Sequence, residues 1–187
     1  VSDISDIATL VRYQVLDFVQ TLQPGDIFTY GSSTVFTLSQ ANVVEITAVY
    51  VNSTLLTSGY SLNSSTNKLT ITSSLTAGDT VEIQYTYYPK YSSVQIENFV
   101  RSSVVYLSVN NYYTFEVDES DYFYPQLSDR ERNLVAFVTA ILMKPDNKSY
   151  RLPDISVTVP KSLPTRDLIG KAICIFKHNS SGVFNIN

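Results

Sequence analysis

The chain has 187 residues and a net charge of −4, with only 16% charged residues against a usual quarter or so. That balance excludes a duplex nucleic-acid binder, which needs a basic stripe, but allows a surface past which DNA slides without sticking. A single cysteine, Cys174, excludes an intrachain disulfide, a single histidine, His178, excludes a His-rich metal site, and no apolar run approaches the roughly 20 residues that span a bilayer.

The first residues have neither a basic nor an apolar region, so no signal peptide is expected there. Without one, the sequons at Asn52, Asn63, Asn147 and Asn179 read as chance occurrences in a Ser-, Thr- and Asn-rich chain. Ile4, Ile7, Ala8, Val11, Val15 and Phe18 fall on one face of a 3.6-residue period, predicting a helix over 4–18. Asp3 or Ser5 can cap it, and "QPGD" (23–26) is expected to end it. From Asp26 to Tyr88 the period changes. "TVFTLS" (34–39), "VVEITAVYVN" (43–52), "KLTIT" (68–72) and "TVEIQYTYY" (80–88) read as strands, separated by turn clusters such as "NSSTN" and "TAGD". Short strands this closely spaced predict a small antiparallel sandwich or barrel.

Helical period returns after Pro89, with a stripe of Ile96, Phe99, Val100, Ser103, Val104 and Leu107. An irregular stretch, "NNYYTFEVDESDYFYPQ" (110–126), leads to a capping box at Ser128 and Glu131 and a helix carrying Leu134, Val135, Val138, Ile141 and Leu142. A last helix follows Pro164, with Leu168, Ile169, Ala172, Ile173 and Phe176 on one face. Between those two helices lies a proline-bracketed segment in which Ile155, Val157 and Val159 alternate with Ser156 and Thr158, a half-buried strand. It is expected as an extended arm that needs an edge. That edge lies in the chain's own sheet, in a second strand from 148–152, or in a neighbouring copy.

A lone first helix cannot bury its stripe, so it is expected to pack on the later helices. The fold class read from this is α+β: an antiparallel bundle of about four helices (1–23 and 90–187) with an inserted small all-β sandwich or barrel (26–88) and the extended arm. The alternative is two consecutive domains with the first helix on the sheet.

No catalytic, cofactor-binding or metal-ligating set is predicted. His178 has no second histidine or nucleophile and reads as a cation at a helix C-terminus. Cys174, between Ile173 and Ile175, reads as a small apolar residue. Glu116, Asp118, Glu119 and Asp121 offer oxygen ligands but lack the spacing and glycine of a calcium loop. The aromatics Tyr112, Tyr113, Phe115, Tyr122, Phe123 and Tyr124 suit core and interface equally. Two surfaces are therefore the candidate sites. One is the acidic-aromatic loop of Tyr113, Phe115, Glu116, Asp118, Glu119, Asp121, Tyr122, Phe123 and Tyr124. The other is the arm, with Lys148, Tyr150, Arg151, Leu152, Pro153, Ile155, Val157 and Val159, whose positive character fits an acidic neighbour.

The segments "KYSSVQIENFVRSSVVYLSVNNYYTFEVDE", "YPQLSDRERNLVAFVTAILMKPDNKSYRLPDISVTVPKSLPTRD" and "IFKHNSSGVFNIN" resemble the connector or adaptor proteins of tailed bacteriophages. The resemblance covers 1–23 and 90–187 and rests on helix order and the long connection between the last two helices. "VYVNSTLLTSGYSLNSSTNKLTITSSLTAGDTVEIQYTYY" is similar to β-sandwich modules of phage tail and adaptor proteins, a departure from the helical-only connectors. The resemblance implies a structural, non-enzymatic protein without cofactor or membrane, made in the host cytoplasm and housed in the neck of the virion. It implies a ring, twelvefold in this family, that joins the portal protein to other neck and tail proteins and lets DNA pass without sequence-specific binding. The rival reading is a carbohydrate-binding module for a host surface, with Tyr50, Tyr60 and Tyr88 stacking on sugars.

Overall fold

The computed structural model describes residues 3–110, 112–144, 149–151, 156–158 and 164–178. The chain forms two compact units, one of residues 1–16 and 93–187 and the other of residues 17–92.

In the first unit, α1 (Ile4–Val15) starts at Asp3, whose carboxylate accepts the Asp6 N–H at 2.8 Å. It stops earlier than the period predicts. Leu16 takes a left-handed conformation (φ 54°) and its N–H bonds the Arg12 carbonyl. Lys144 donates to the Val15 carbonyl at 2.9 Å, placing a cation on the helix's negative end. The expected helical position Phe18 is therefore outside the helix and half exposed. α2 (Ser93–Val109) and α3 (Asp129–Met143) follow, then α4 (Thr165–His178). The capping box at Ser128 and Glu131 is formed.

α3 is the centre of this unit and packs against α1, α2 and α4. Residues 134–141 are all buried, including the polar Thr139, so this helix has no wet face over two turns. Thr139 stays satisfied because its hydroxyl donates to Ser103 Oγ on α2 at 2.8 Å, and Ser103 donates to the Val100 carbonyl at 2.7 Å.

The unit is not helical only. β8 (Glu116–Val117) pairs with β9 (Phe123–Tyr124), and β10 (Ser149–Arg151) pairs with β11 (Ser156–Thr158), both antiparallel. The expected bundle with an inserted sandwich and an extended arm is therefore corrected. The described residues make a mixed α/β fold of four helices and antiparallel sheets, with strands in both units. The physical reason is local pairing. The arm folds back on itself, with Tyr150 opposite Val157 and Arg151 opposite Ser156, and of its possible edges it uses its own strand at 149–151. The aromatic connector also forms a hairpin, burying Phe115 and Phe123.

The second unit holds two sheets around one apolar cluster. β1 (Gln20–Thr29), β7 (Thr80–Tyr87), β3 (Val43–Val51) and β4 (Thr54–Leu55) form one sheet in that order; β2 (Val35–Thr37), β6 (Lys68–Ile71) and β5 (Tyr60–Asn63) form the other. Val81, Ile83 and Tyr85 alternate inward from β7 to meet Val49, Leu69 and Ile71, all essentially inaccessible to solvent. "QPGD" does not end a helix but bulges within β1. Leu22 faces Tyr85 and Asp26 faces Ile83, so extra residues loop out between them, a place where proline is tolerated. Gly25 is required there, because a Cβ would collide with the Ile83 carbonyl.

Two polar contacts fix this unit. The fully buried Asp17 carboxylate accepts the backbone N–H groups of Lys90 (3.0 Å) and Tyr91 (3.3 Å), joining the two ends of the unit. Buried Tyr85 donates its hydroxyl to Asp26 at 2.8 Å, and Asp26 also accepts the Ser39 N–H and hydroxyl, both at 2.7 Å.

Asp17→Ala removes charge-assisted bonds and is expected to lower stability by about 2–3 kcal/mol in denaturant titration. Burial, with the Asp26 carboxylate adding to it, raises the Tyr85 phenol above its ordinary pKa. The neutral phenol favoured by the fold contributes fully below pH about 10, and that contribution is lost as pH climbs through the unfolded and then the folded value. Tyr85→Phe should cost about 1 kcal/mol at neutral pH and make the alkaline loss of stability shallower, without abolishing it, because Tyr106 and Tyr113 are raised too.

Candidate functional site

The acidic-aromatic loop is built on the C-terminal half of α2. That helix buries Ile96, Val100, Val104 and Leu107, but Val105 and Val109, one turn apart, lie off this stripe and are 60% and 73% exposed. The chain then turns back, with the Tyr112 N–H on the Leu107 carbonyl at 3.0 Å, and runs out along β8. A groove of about 670 Å³ results, lined by Val104, Val105 and Val109 on one side and by Phe115 and Val117 on the other, with Arg101 and Glu116 among its polar lining.

The predicted loop residues divide by role. Phe115 and Phe123 are core. Tyr113 stacks on Phe115 with ring centres 4.9 Å apart, and burial, aided by nearby Glu131 and opposed by Arg130, raises its phenol pKa. Asp118 folds the hairpin tip by accepting the Ser120 N–H at 2.8 Å and the Tyr122 N–H at 2.9 Å. Asp121 pairs with Arg101 on α2, and its carbonyl accepts the Ile4 N–H at 3.0 Å, tying the loop to the start of α1. Glu116, Glu119, Tyr122 and Tyr124 remain exposed, Tyr124 at 74%.

The four carboxylates are thus a hairpin tip and a charged rim. No group of three or more His, Cys, Asp or Glu able to hold a metal occurs among the described residues. Cys174, expected among core neighbours, is exposed. No helix of the described residues is long and apolar enough to cross a membrane.

Of the arm residues, Tyr150, Arg151 and Val157 lie in the β10–β11 hairpin, whose strand β10 runs alongside α1. Lys148, Leu152, Pro153, Ile155 and Val159 fall outside the described residues. The tyrosines proposed for sugar stacking, Tyr50, Tyr60 and Tyr88, are each half-buried, and Tyr60 packs against the core cluster. Asn52, a possible sequon, donates its amide to Asp79 at 2.8 Å and accepts the Thr80 N–H at 2.9 Å.

Sequence reasoning missed Arg101, Val105 and Val109. The available signal was a pair of valines four residues apart outside the apolar stripe of a helix, which burial within one copy does not explain. No protein-family model and no curated protein matches the chain.

Asp118→Ala should loosen the hairpin tip, lowering stability by about 1 kcal/mol and speeding amide exchange at Ser120 and Tyr122. Glu119→Ala, a few ångströms of chain away but without a structural bond, should change neither.

Proposed function

We propose that this chain is a structural adaptor of a tailed-bacteriophage particle. It forms a ring between portal and tail and lines the passage for DNA. The observation that carries an assembly role is the groove beside α2. Exposed Val105 and Val109 stand next to a hairpin that presents Tyr122, Tyr124 and exposed carboxylates. An apolar centre with an aromatic and charged rim is the make-up of a protein–protein contact surface.

The choice of a phage adaptor among assembly proteins rests on the sequence likeness of 90–187, with its helix order and its strand-forming connection between the last two helices. The net charge of −4 is compatible with a lumen that DNA crosses without adhering. The partners on this reading are further copies of the chain, the portal protein and adjoining neck and tail proteins, and the role is not enzymatic. Sugar binding is less well supported, because the tyrosines it needs are half-buried.

Two observations test the reading. Particles assembled without the chain should accumulate as DNA-leaking or tailless heads, counted by electron microscopy. The labelled chain should decorate the neck of complete virions. Intact, infectious particles without it would overturn the proposal. Normal assembly with lost adsorption to host cells would favour the sugar-binding reading instead.

A further inference from the structure

The hairpin beside the groove carries charge of one sign. From residue 102 to residue 129 the chain has five acids (Glu116, Asp118, Glu119, Asp121 and Asp129) and no Lys or Arg. Two of these are committed within the fold: Asp118 holds the tip and Asp121 pairs with Arg101. Glu116 and Glu119 are exposed, and their carboxylates take no hydrogen bond or ion pair among the described residues.

The edge of β8 that looks away from β9 faces α2. Among the described residues, β8 has no strand neighbour other than β9. The Asp118 N–H bonds the Tyr122 carbonyl across the hairpin at 2.9 Å, and backbone groups alternate sides along a strand. The backbone groups of Phe115 and Val117 therefore point the other way. There the Phe115 carbonyl accepts the Ser108 hydroxyl of α2 at 3.0 Å. Val117, two residues on, lines the groove, and the outward N–H and C=O of its backbone have no partner among the described residues. An edge of this kind is a template for a further strand.

We propose that the groove between α2 and β8 receives an extended, basic segment of another protein, which adds as a strand to the free edge of β8. Val117 gives it one backbone hydrogen bond and accepts one. Its apolar side chains cover Val105 and Val109, and its Lys or Arg residues meet Glu116 and Glu119. From Arg101 to Val109 the α2 axis rises about 12 Å, a length that about four extended residues span. A second β8 does not fit, because its acids would oppose their own copies. The edge strands of the second unit, β1, β2, β4 and β5, contain no Lys or Arg. Charge thus favours a different protein over a second copy. This deepens the adaptor reading by naming the chemistry of a partner, and it rests on that reading only for taking the groove as a protein contact.

The test is selection of a displayed library of random peptides, about nine residues long, on the full chain, followed by fluorescence anisotropy of the best binder. Enriched peptides should alternate apolar residues with Lys or Arg, and their affinity should fall as salt rises. Glu116→Gln with Glu119→Gln should weaken binding about fivefold or more. Glu45→Gln, which removes an exposed acid from the second unit, should leave it unchanged. Amide exchange on the wild type gives an answer that does not depend on variants folding: bound peptide should slow exchange at Val117 by about tenfold or more. No enrichment, enrichment of acidic peptides, binding that the double variant retains, or an unslowed Val117 amide overturns the proposal. Self-association that protects Val117 without peptide also overturns it and gives the groove to a second copy. A chain that takes such peptides but is absent from the virion neck would sink the adaptor reading and leave this contact standing.

Discussion

The structure depends on a constraint set by chain order. α1 packs against α3, yet the whole second unit separates them in sequence. The chain must therefore leave and return at nearly one place. Asp17 fixes this. It is the first residue of the second unit, its side chain is fully buried, and both carboxylate oxygens accept backbone N–H groups at the other end, on Lys90 and Tyr91. A buried carboxylate is tolerated only when its charge is met by donors, and the two N–H groups are such donors. Closing the ends also confines the sheets to a loop whose entropy cost varies only slowly with length.

With the ends held, α3 can do what its sequence requires. A helix buried over residues 134–141 needs neighbours on every side, and α1, α2 and α4 supply them. The Ser103–Thr139 hydrogen bond sets α2 on α3 at one register, because any slip would leave two buried hydroxyls without each other. Val105 and Val109 follow Ser103 on the same helix. Their outward position is thus inherited from the inward position of Ser103, Val104 and Leu107. The wall of the groove on α2 is thus set by the packing of the core.

Much of this was legible from the residues. The inward alternation of Val81, Ile83 and Tyr85, the Asp3 cap and the Ser128–Glu131 box have causes confined to a few neighbouring positions. What escaped depends on partners far away in sequence. "QPGD" has the composition of a helix stop, but β7 pairs on both sides of it and turns it into a bulge. The period through Phe18 looked helical until Leu16 adopted a left-handed conformation, which no local signal marks in a leucine. The aromatic loop was divisible into core and surface only once Asp118 and Asp121 had fixed the hairpin, since that decides that Phe123 faces inward and Tyr124 outward. The arm could have paired in several ways, and its partner strand at 149–151 is too short to carry a pattern of its own.

The exposed acids beside β8 bear on which contacts its open edge permits. An unprotected edge would pair most readily with its own counterpart on another molecule, giving a symmetric dimer or uncontrolled stacking. Here the β8 edge meeting another β8 edge would bring Glu116 and Glu119 against their own copies. Like charges directly opposite across a strand pair are destabilising. That symmetric pairing is therefore penalised.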